Sequence, residues 1–346
     1  MPTIKDVSIV SFRSHEAKSI TLHPGTTIIT GRNGAGKTSL LEAIYIGLRG
    51  SSFKGPDLSI LQTNKPWWRI DMTFDDNSVR SVTFDSERTL SRKQFTVNGR
   101  KTARLSPKDK YPVIIFEPTD LQLLHGSPTR RRDFIDRMIS QTNPLYSTNL
   151  NKYDRALRQR NALLKKEFVT QDALFPWNIA LSEYGSYIIR QRQEVIEKIN
   201  EIISEKYRTI AKNNDTITVK YSYDSKNVTP QSILKDLESS NDRDRALKYT
   251  SVGPHRHDII FEFNNTPALL VASRGEVRSI VIALKYIEKD IITDTLNIEP
   301  IVLLDDVFSE LDIQRQEQLT IGEGQHIITS TQLAFDAKDA TLITLP

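Results

Sequence analysis

Apolar and polar positions alternate from the start of the chain. Ile4, Val7, Ile9 and Val10, then Ile20 and Leu22, form short β-rich runs broken by polar residues and by Pro24-Gly25, and they predict strands. The β-branched run Thr26–Thr30 has the pattern of a strand buried on both faces. It leads straight into a glycine-rich octet, after which Leu40, Leu41, Ile44 and Leu48 recur at helical spacing. Runs at 70–74, 79–84 and 95–97 predict hairpin strands, and Asn98-Gly99 is a tight-turn pair.

Over residues 121–211 the period changes. Tyr153, Leu157, Leu163, Leu164, Trp177, Leu181, Ile188, Val195, Ile199, Ile202 and Ile203 are spaced among Arg, Lys, Glu and Gln, as on amphipathic helices whose aromatics fill a core. Strands return at 217–223 and at Ile259–Phe263; a helix is expected to begin near Glu276, followed by strands at 300–304 and 326–329. Alternating strands and helices with a helical insert predict an α/β protein.

Composition narrows the chemistry. Hydrophobic residues are 38% and charged residues 26% of 346, ordinary values for a globular chain. No apolar run approaches the roughly 18 residues of a membrane span, and the N-terminus lacks the apolar core of a signal peptide, so a cytoplasmic location is expected. Without cysteine there is no disulfide, thiolate nucleophile or Cys-type zinc site, and the six histidines form no H-x-x-x-H pair. A metal, if used, is expected to be Mg²⁺ carried by a nucleotide. The net charge of +4 suits a polyanionic partner. Arg88, Arg92, Lys93, Arg100, Lys101, Arg104, Lys108 and Lys110 fall in one stretch with few acids, read either as a DNA-facing surface or as a solvated one.

The octet itself is a complete Walker A motif: Gly31, Arg32, Asn33, Gly34, Ala35, Gly36, Lys37, Thr38. Its glycines let consecutive backbone N–H groups turn inward around phosphate oxygens, and the following helix adds the positive end of its dipole. Lys37 is placed to reach the β- and γ-phosphates of ATP, and the Thr38 hydroxyl to sit on Mg²⁺. Downstream, an apolar run ends in Asp305-Asp306, a Walker B pattern. Asp305 is the expected metal carboxylate, and Asp306 stands where a general base orients the attacking water. Ser273, Arg274, Gly275 and Glu276 precede a helix, where ABC-type ATPases carry the signature loop that caps the γ-phosphate bound to a partner subunit. Ser and Glu at this spacing also read as a capping box. Ser309, Glu310, Leu311 and Asp312 resemble the D-loop.

This ordered set resembles the RecF family over nearly the whole chain. The resemblance is carried by the Walker A octet, Gly50-Ser-Ser-Phe53, Phe116-Glu-Pro-Thr-Asp-Leu121, Gly126-Ser-Pro-Thr-Arg-Arg-Arg-Asp133, Gln159-Arg-Asn-Ala-Leu-Leu164, Gly253-Pro-His-Arg256 and Asp305-Asp-Val-Phe-Ser-Glu-Leu-Asp312. It implies an ABC-type P-loop ATPase head with a mixed sheet, plus an inserted helical lobe. The implied division is residues 1–120 as the first part of the head, 121–211 as the helical lobe and 212–346 as the rest of the head. It also implies slow ATP hydrolysis, an ATP-bound homodimer, binding of double-stranded DNA and single-strand/double-strand junctions, and work with RecO and RecR to load RecA. Two positions depart from the family pattern. Glu276 stands where Gln is usual, and a carboxylate there repels the γ-phosphate unless it points away. Thr119-Asp120 replaces a common acidic pair.

Other readings are weaker. A transporter-type ABC ATPase has its motifs closer together and a Leu-Ser-Gly-Gly-Gln signature. An SMC-type organiser needs long heptad coiled coils, for which 121–211 is too short and too interrupted. A clamp glued by ATP with negligible hydrolysis remains the alternative.

Overall fold

In the computed structural model, which describes residues 2–223, 225, 227–311, 316, 324–331 and 340–346, the alternating N-terminal pattern builds an antiparallel hairpin. It consists of β1 (Ile4–Phe12) and β2 (His15–Thr21). β3 (Thr26–Thr30) then leaves for a second sheet and is followed by α1 (Lys37–Arg49). The first sheet is completed by β4 (Trp67–Phe74), β5 (Val79–Asp85), β6 (Lys93–Val97) and β7 (Arg100–Thr102), in the order β2-β1-β4-β5-β6-β7. The turn from β6 to β7 places both Asn98 (φ 46°) and Gly99 (φ 81°) in the left-handed region, the requirement of a two-residue hairpin.

The second sheet is parallel. β8 (Val113–Phe116), β12 (Ile301–Asp305) and β13 (His326–Ser330) join β3 and β14 (Ala340–Thr344) in the order β14-β3-β13-β12-β8. β8 and β12 are buried at every position, as a parallel strand covered on both faces must be. α1 packs against strands of both sheets, and Leu40, Leu41, Ile44, Ile46 and Leu48 are wholly buried in one apolar core. Each such side chain stabilises the fold by roughly 1.5–3 kcal/mol. Parallel strands end at one edge, so the C-terminal ends of β3 and β12 deliver Gly31 and Asp305 to the same side of the sheet.

These elements form one compact unit, Met1–Leu121 with Glu288–Pro346; Gln122–Ile287 form another. In the second unit α2 (Pro128–Thr142), α3 (Pro144–Leu164) and α4 (Gln171–Ala211) are capped by Ser127, Asn143 and Thr170 respectively. α4, at 41 residues, is about 60 Å long at 1.5 Å per residue. Its stripe Leu181, Ile188, Ile196, Ile199 and Ile203 is buried at helical spacing. β9 (Ile217–Tyr221), α5 (Pro230–Ser239), α6 (Asn241–Leu247), β10 (Ile259–Phe263), β11 (Thr266–Pro267), α7 (Ala268–Val271) and the first part of α8 (Arg274–Leu296) complete it.

The expected boundary at 211 is therefore corrected: residues 212–287 belong with the helices, and the division falls inside α8. Two sets of polar contacts explain this. The Asn200 side chain on α4 bonds both the N–H and the carbonyl of Val219 at 2.7 Å, so β9 is tied to the long helix. Arg160 on α3, wholly buried, reaches Asp244 at 2.7 Å, Asn178 at 2.7 Å, Asn241 at 2.9 Å and Thr250 at 2.9 Å. Removing either Arg160 or Asp244 would leave a charge buried without its partner, at a cost of about 3–5 kcal/mol. Among the described residues, no helix is long and apolar enough to cross a membrane.

Candidate functional site

The turn from β3 into α1 depends on glycine where the backbone is left-handed. Gly36, the residue before the helix, has φ 85°, and a side chain there would also run into the ring of His15. α1 begins with no side-chain cap and no acidic residue in its first turn, so the positive end of its dipole faces the loop without a carboxylate of its own. Lys37, buried, lies across this loop and donates to the carbonyls of Gly31 at 2.7 Å and Arg32 at 3.1 Å.

Thr38 is the next residue of α1. Its hydroxyl donates to Asp305 Oδ1 at 2.6 Å, joining the loop to the end of β12. The same carboxylate oxygen accepts from the Thr329 hydroxyl at 3.0 Å, while Oδ2 lies 3.5 Å from Lys54 Nζ. Asp306 follows in the left-handed region at φ 52°, a strain of order 1–2 kcal/mol for a residue with a Cβ. Its N–H holds that conformation by donating to the Thr329 hydroxyl at 3.0 Å and to the Thr329 carbonyl at 3.1 Å.

A hydroxyl and a carboxylate in contact are the hard-oxygen donor pair that Mg²⁺ takes, so the residues fit a nucleotide-carried Mg²⁺. Among the described residues, no group of three or more His, Asp or Glu side chains could hold a metal by itself.

The structure thus brings Gly31, Arg32, Gly36, Lys37, Thr38, Asp305 and Asp306 to one edge of the parallel sheet, with Asn33, Gly34 and Ala35 in the same turn. Ser273 and Gly275 lie in the second unit, at the start of α8. There the Ser273 N–H donates to Glu276 Oε2 at 2.6 Å, and the Glu276 N–H donates to Ser273 Oγ at 3.4 Å. The capping-box geometry is present, and it turns the Glu276 carboxylate back onto its own helix. Of the D-loop, the Ser309 hydroxyl donates to the Asp306 carbonyl at 2.8 Å, and Asp312 lies outside the described residues.

Three participants escaped the sequence reading. Thr329, next to last in β13, lies in a run read only as a strand. Lys54 follows Gly50-Ser-Ser-Phe53, with nothing in the spacing to send it to Asp305. Glu42, wholly buried on α1, takes a bidentate pair from Arg13 and the Ser52 hydroxyl.

The basic stretch is partly neutralised. Lys93 pairs with Asp57 at 2.6 Å, Arg100 with Asp109 at 2.7 Å and Arg88 with Asp85 at 3.2 Å. Burial pushes the Lys93 ammonium below its ordinary pKa. Arg92, Lys101, Arg104 and Lys108 are exposed on and beside the β6–β7 hairpin.

A family model described as "AAA domain" matches residues 6–248. The DNA replication and repair protein RecF of Agathobacter rectalis is 31% identical across 95% of this chain and 92% of its own length. That of Chlorobium phaeobacteroides is 30% identical across 98% and 96%. A solved structure titled as the recombination mediator protein RecF-ATP in the RecFOR pathway matches with a TM-score of 0.86 and 26% identity, covering 97% of this chain and 94% of that one. The Smc head domain from Pyrococcus furiosus, at TM-score 0.52 and 17% identity over 96% of this chain and 90% of its own, shares the ABC-type fold. With the Walker octet, the Asp305-Asp306 strand end and likeness extending over nearly its whole length, the chain belongs to the RecF family.

Proposed function

We propose that this chain is an ATP-binding, DNA-associated protein of recombinational repair and replication. It acts as an ATP-bound homodimer on double-stranded DNA and on single-strand/double-strand junctions at gaps. There it promotes loading of the RecA recombinase together with RecO and RecR, and it hydrolyses ATP slowly. One observation carries the nucleotide reading: the 2.6 Å hydrogen bond from Thr38 to Asp305, made beside the uncapped N-terminus of α1. The DNA reading is supported by relatives named as DNA replication and repair proteins.

Bound ATP with Mg²⁺ supplies the phosphoanhydride and the charge neutralisation that phosphoryl transfer to water requires. The N–H groups of the 31–36 turn cradle phosphate oxygens. Lys37 exchanges its two carbonyl partners for the β/γ-phosphates. Thr38 and Asp305 would hold the metal, which would supply charge neutralisation, and Asp306 would orient the attacking water and take its proton. Ser273 and Gly275 of a second copy close the site over the γ-phosphate.

Lys37→Ala tests this directly. ATP affinity, measured by calorimetry on the folded protein, is expected to fall about 10- to 100-fold, the worth of one or two charge-assisted hydrogen bonds. Tight ATP binding by a folded Lys37→Ala protein would remove the nucleotide site from this loop.

A further inference from the structure

Lys54 has no assigned role, yet its ammonium lies 3.5 Å from Asp305 Oδ2. Its position is built rather than incidental. The Ser52 hydroxyl donates to the buried Glu42 carboxylate, and accepts from the N–H groups of Lys54 at 2.8 Å and Gly55 at 3.2 Å. Glu42 is itself clamped by Arg13. The loop carrying Lys54 is therefore pinned to α1, the helix that carries Lys37 and Thr38. Lys54 remains partly open, at 34% side-chain exposure, whereas Asp305 is 6% exposed.

The other oxygen of Asp305 is occupied by Thr38 and Thr329. Oδ2 is thus the face of the carboxylate turned to the ammonium, and a divalent ion approaching that face meets a positive charge. Among the described residues no group of three or more carboxylate or imidazole side chains gathers there, and the Thr38–Asp305 donor pair is too few to hold such an ion alone against hydration. Resting on the assignment of Asp305 as metal carboxylate, we infer that Lys54 is a tethered counter-cation. It neutralises Asp305 in the nucleotide-free protein and excludes free divalent cation, so that metal enters only together with a polyphosphate whose negative charge draws the ammonium away.

The test uses the full-length protein and Mn²⁺ as a spectroscopic stand-in for Mg²⁺, with free Mn²⁺ counted by electron paramagnetic resonance. Without nucleotide, Lys54→Met is expected to bind Mn²⁺ at least about tenfold more tightly than the parent, the discounted worth of one charge at a partly exposed site. Lys54→Arg, which keeps the charge, stays at the parent level. Ser52→Ala, which cuts the tether, moves in the direction of Lys54→Met by a smaller factor. A fourth arm, Asp305→Asn with a non-hydrolysable ATP analogue, checks the underlying assignment by losing nucleotide-dependent Mn²⁺ binding. If that loss occurs while Lys54→Met and Ser52→Ala bind Mn²⁺ like the parent, the counter-cation role is overturned and the Asp305 assignment survives. If Asp305→Asn keeps its nucleotide-dependent Mn²⁺, both fall.

Discussion

At the residue scale, the structure is most informative at Glu276. Its carboxylate accepts the Ser273 N–H at 2.6 Å, so the start of α8 carries its own anion. That contact satisfies a helix-end donor, and it also places negative charge beside the N–H groups proposed to receive a partner's γ-phosphate. Glu276→Gln keeps the capping side chain and removes the charge. Stability to heat should therefore change little, while the ATP-dependent dimer should tighten about 3- to 30-fold, at 0.3–1 kcal/mol for each of two sites. Mass photometry across a dilution series with ATP measures this, and an unmoved midpoint would mean that the carboxylate does not face the phosphate. The capping spacing was legible in the sequence, because capping is local. The contacts made by Lys54 and Thr329 were not, since each joins Asp305 from a distant part of the chain through tertiary packing.

At the scale of elements, β3, β12 and β13 were legible because a buried parallel strand is an apolar run of fixed length. β14 is largely exposed along its length and does not stand out from loop, whereas the four-residue apolar run of β8 meets the same criterion as β12 and was missed in the sequence. The placement of 212–287 depended on the buried Arg160 cluster and the Asn200–Val219 bonds, which no periodicity reports. Two elements carry predictions. On the β6–β7 hairpin and the segment after it, Lys101, Arg104 and Lys108 are exposed, whereas Arg100 is tied to Asp109. If these three contact phosphates, neutralising them together flattens the log–log salt dependence of DNA affinity by up to about 2.7, at 0.9 per phosphate. An unaltered slope moves the DNA surface elsewhere. The segment before β10 carries an acid sensitivity. Burial depresses His255 from 6.5 to about 4 and His257 from 6.5 to about 3, and neighbouring arginines add to both shifts. The unfolded chain protonates first as pH falls. The stability these neutral rings contribute is therefore complete above 6.5 and is lost as pH drops through about 4 and then about 3. The loss is up to about 1.4 kcal/mol per group per pH unit. Melting curves should show Tm falling below pH 6.5, less steeply in His257→Gln, and parallel curves for the two proteins would count against the buried neutral ring.

At the scale of the whole molecule, Lys37 and Ser273 lie in different compact units of one chain, so a change at either can be made without touching the fold around the other. A two-fold dimer of the proposed kind takes the Walker loop from one subunit and the signature from its partner at each of two sites. Lys37→Ala damages the first element, and Ser273→Arg, by bulk and charge, damages the second. Either homodimer then has two broken sites and should be inactive. In a mixed dimer, the intact Walker loop of the Ser273→Arg subunit meets the intact signature of the Lys37→Ala subunit, and one site is whole. Random equal mixing makes about half the dimers mixed, each with one working site of two, so hydrolysis should recover to roughly a quarter of the parent level. Partial coupling between the sites lowers that figure, and obligate coupling abolishes it. Mixed dimers demonstrated by native mass spectrometry, yet showing no recovered hydrolysis, would exclude independent shared sites. Strong hydrolysis by the Ser273→Arg homodimer would go further, and leave Ser273 with no role beyond capping α8.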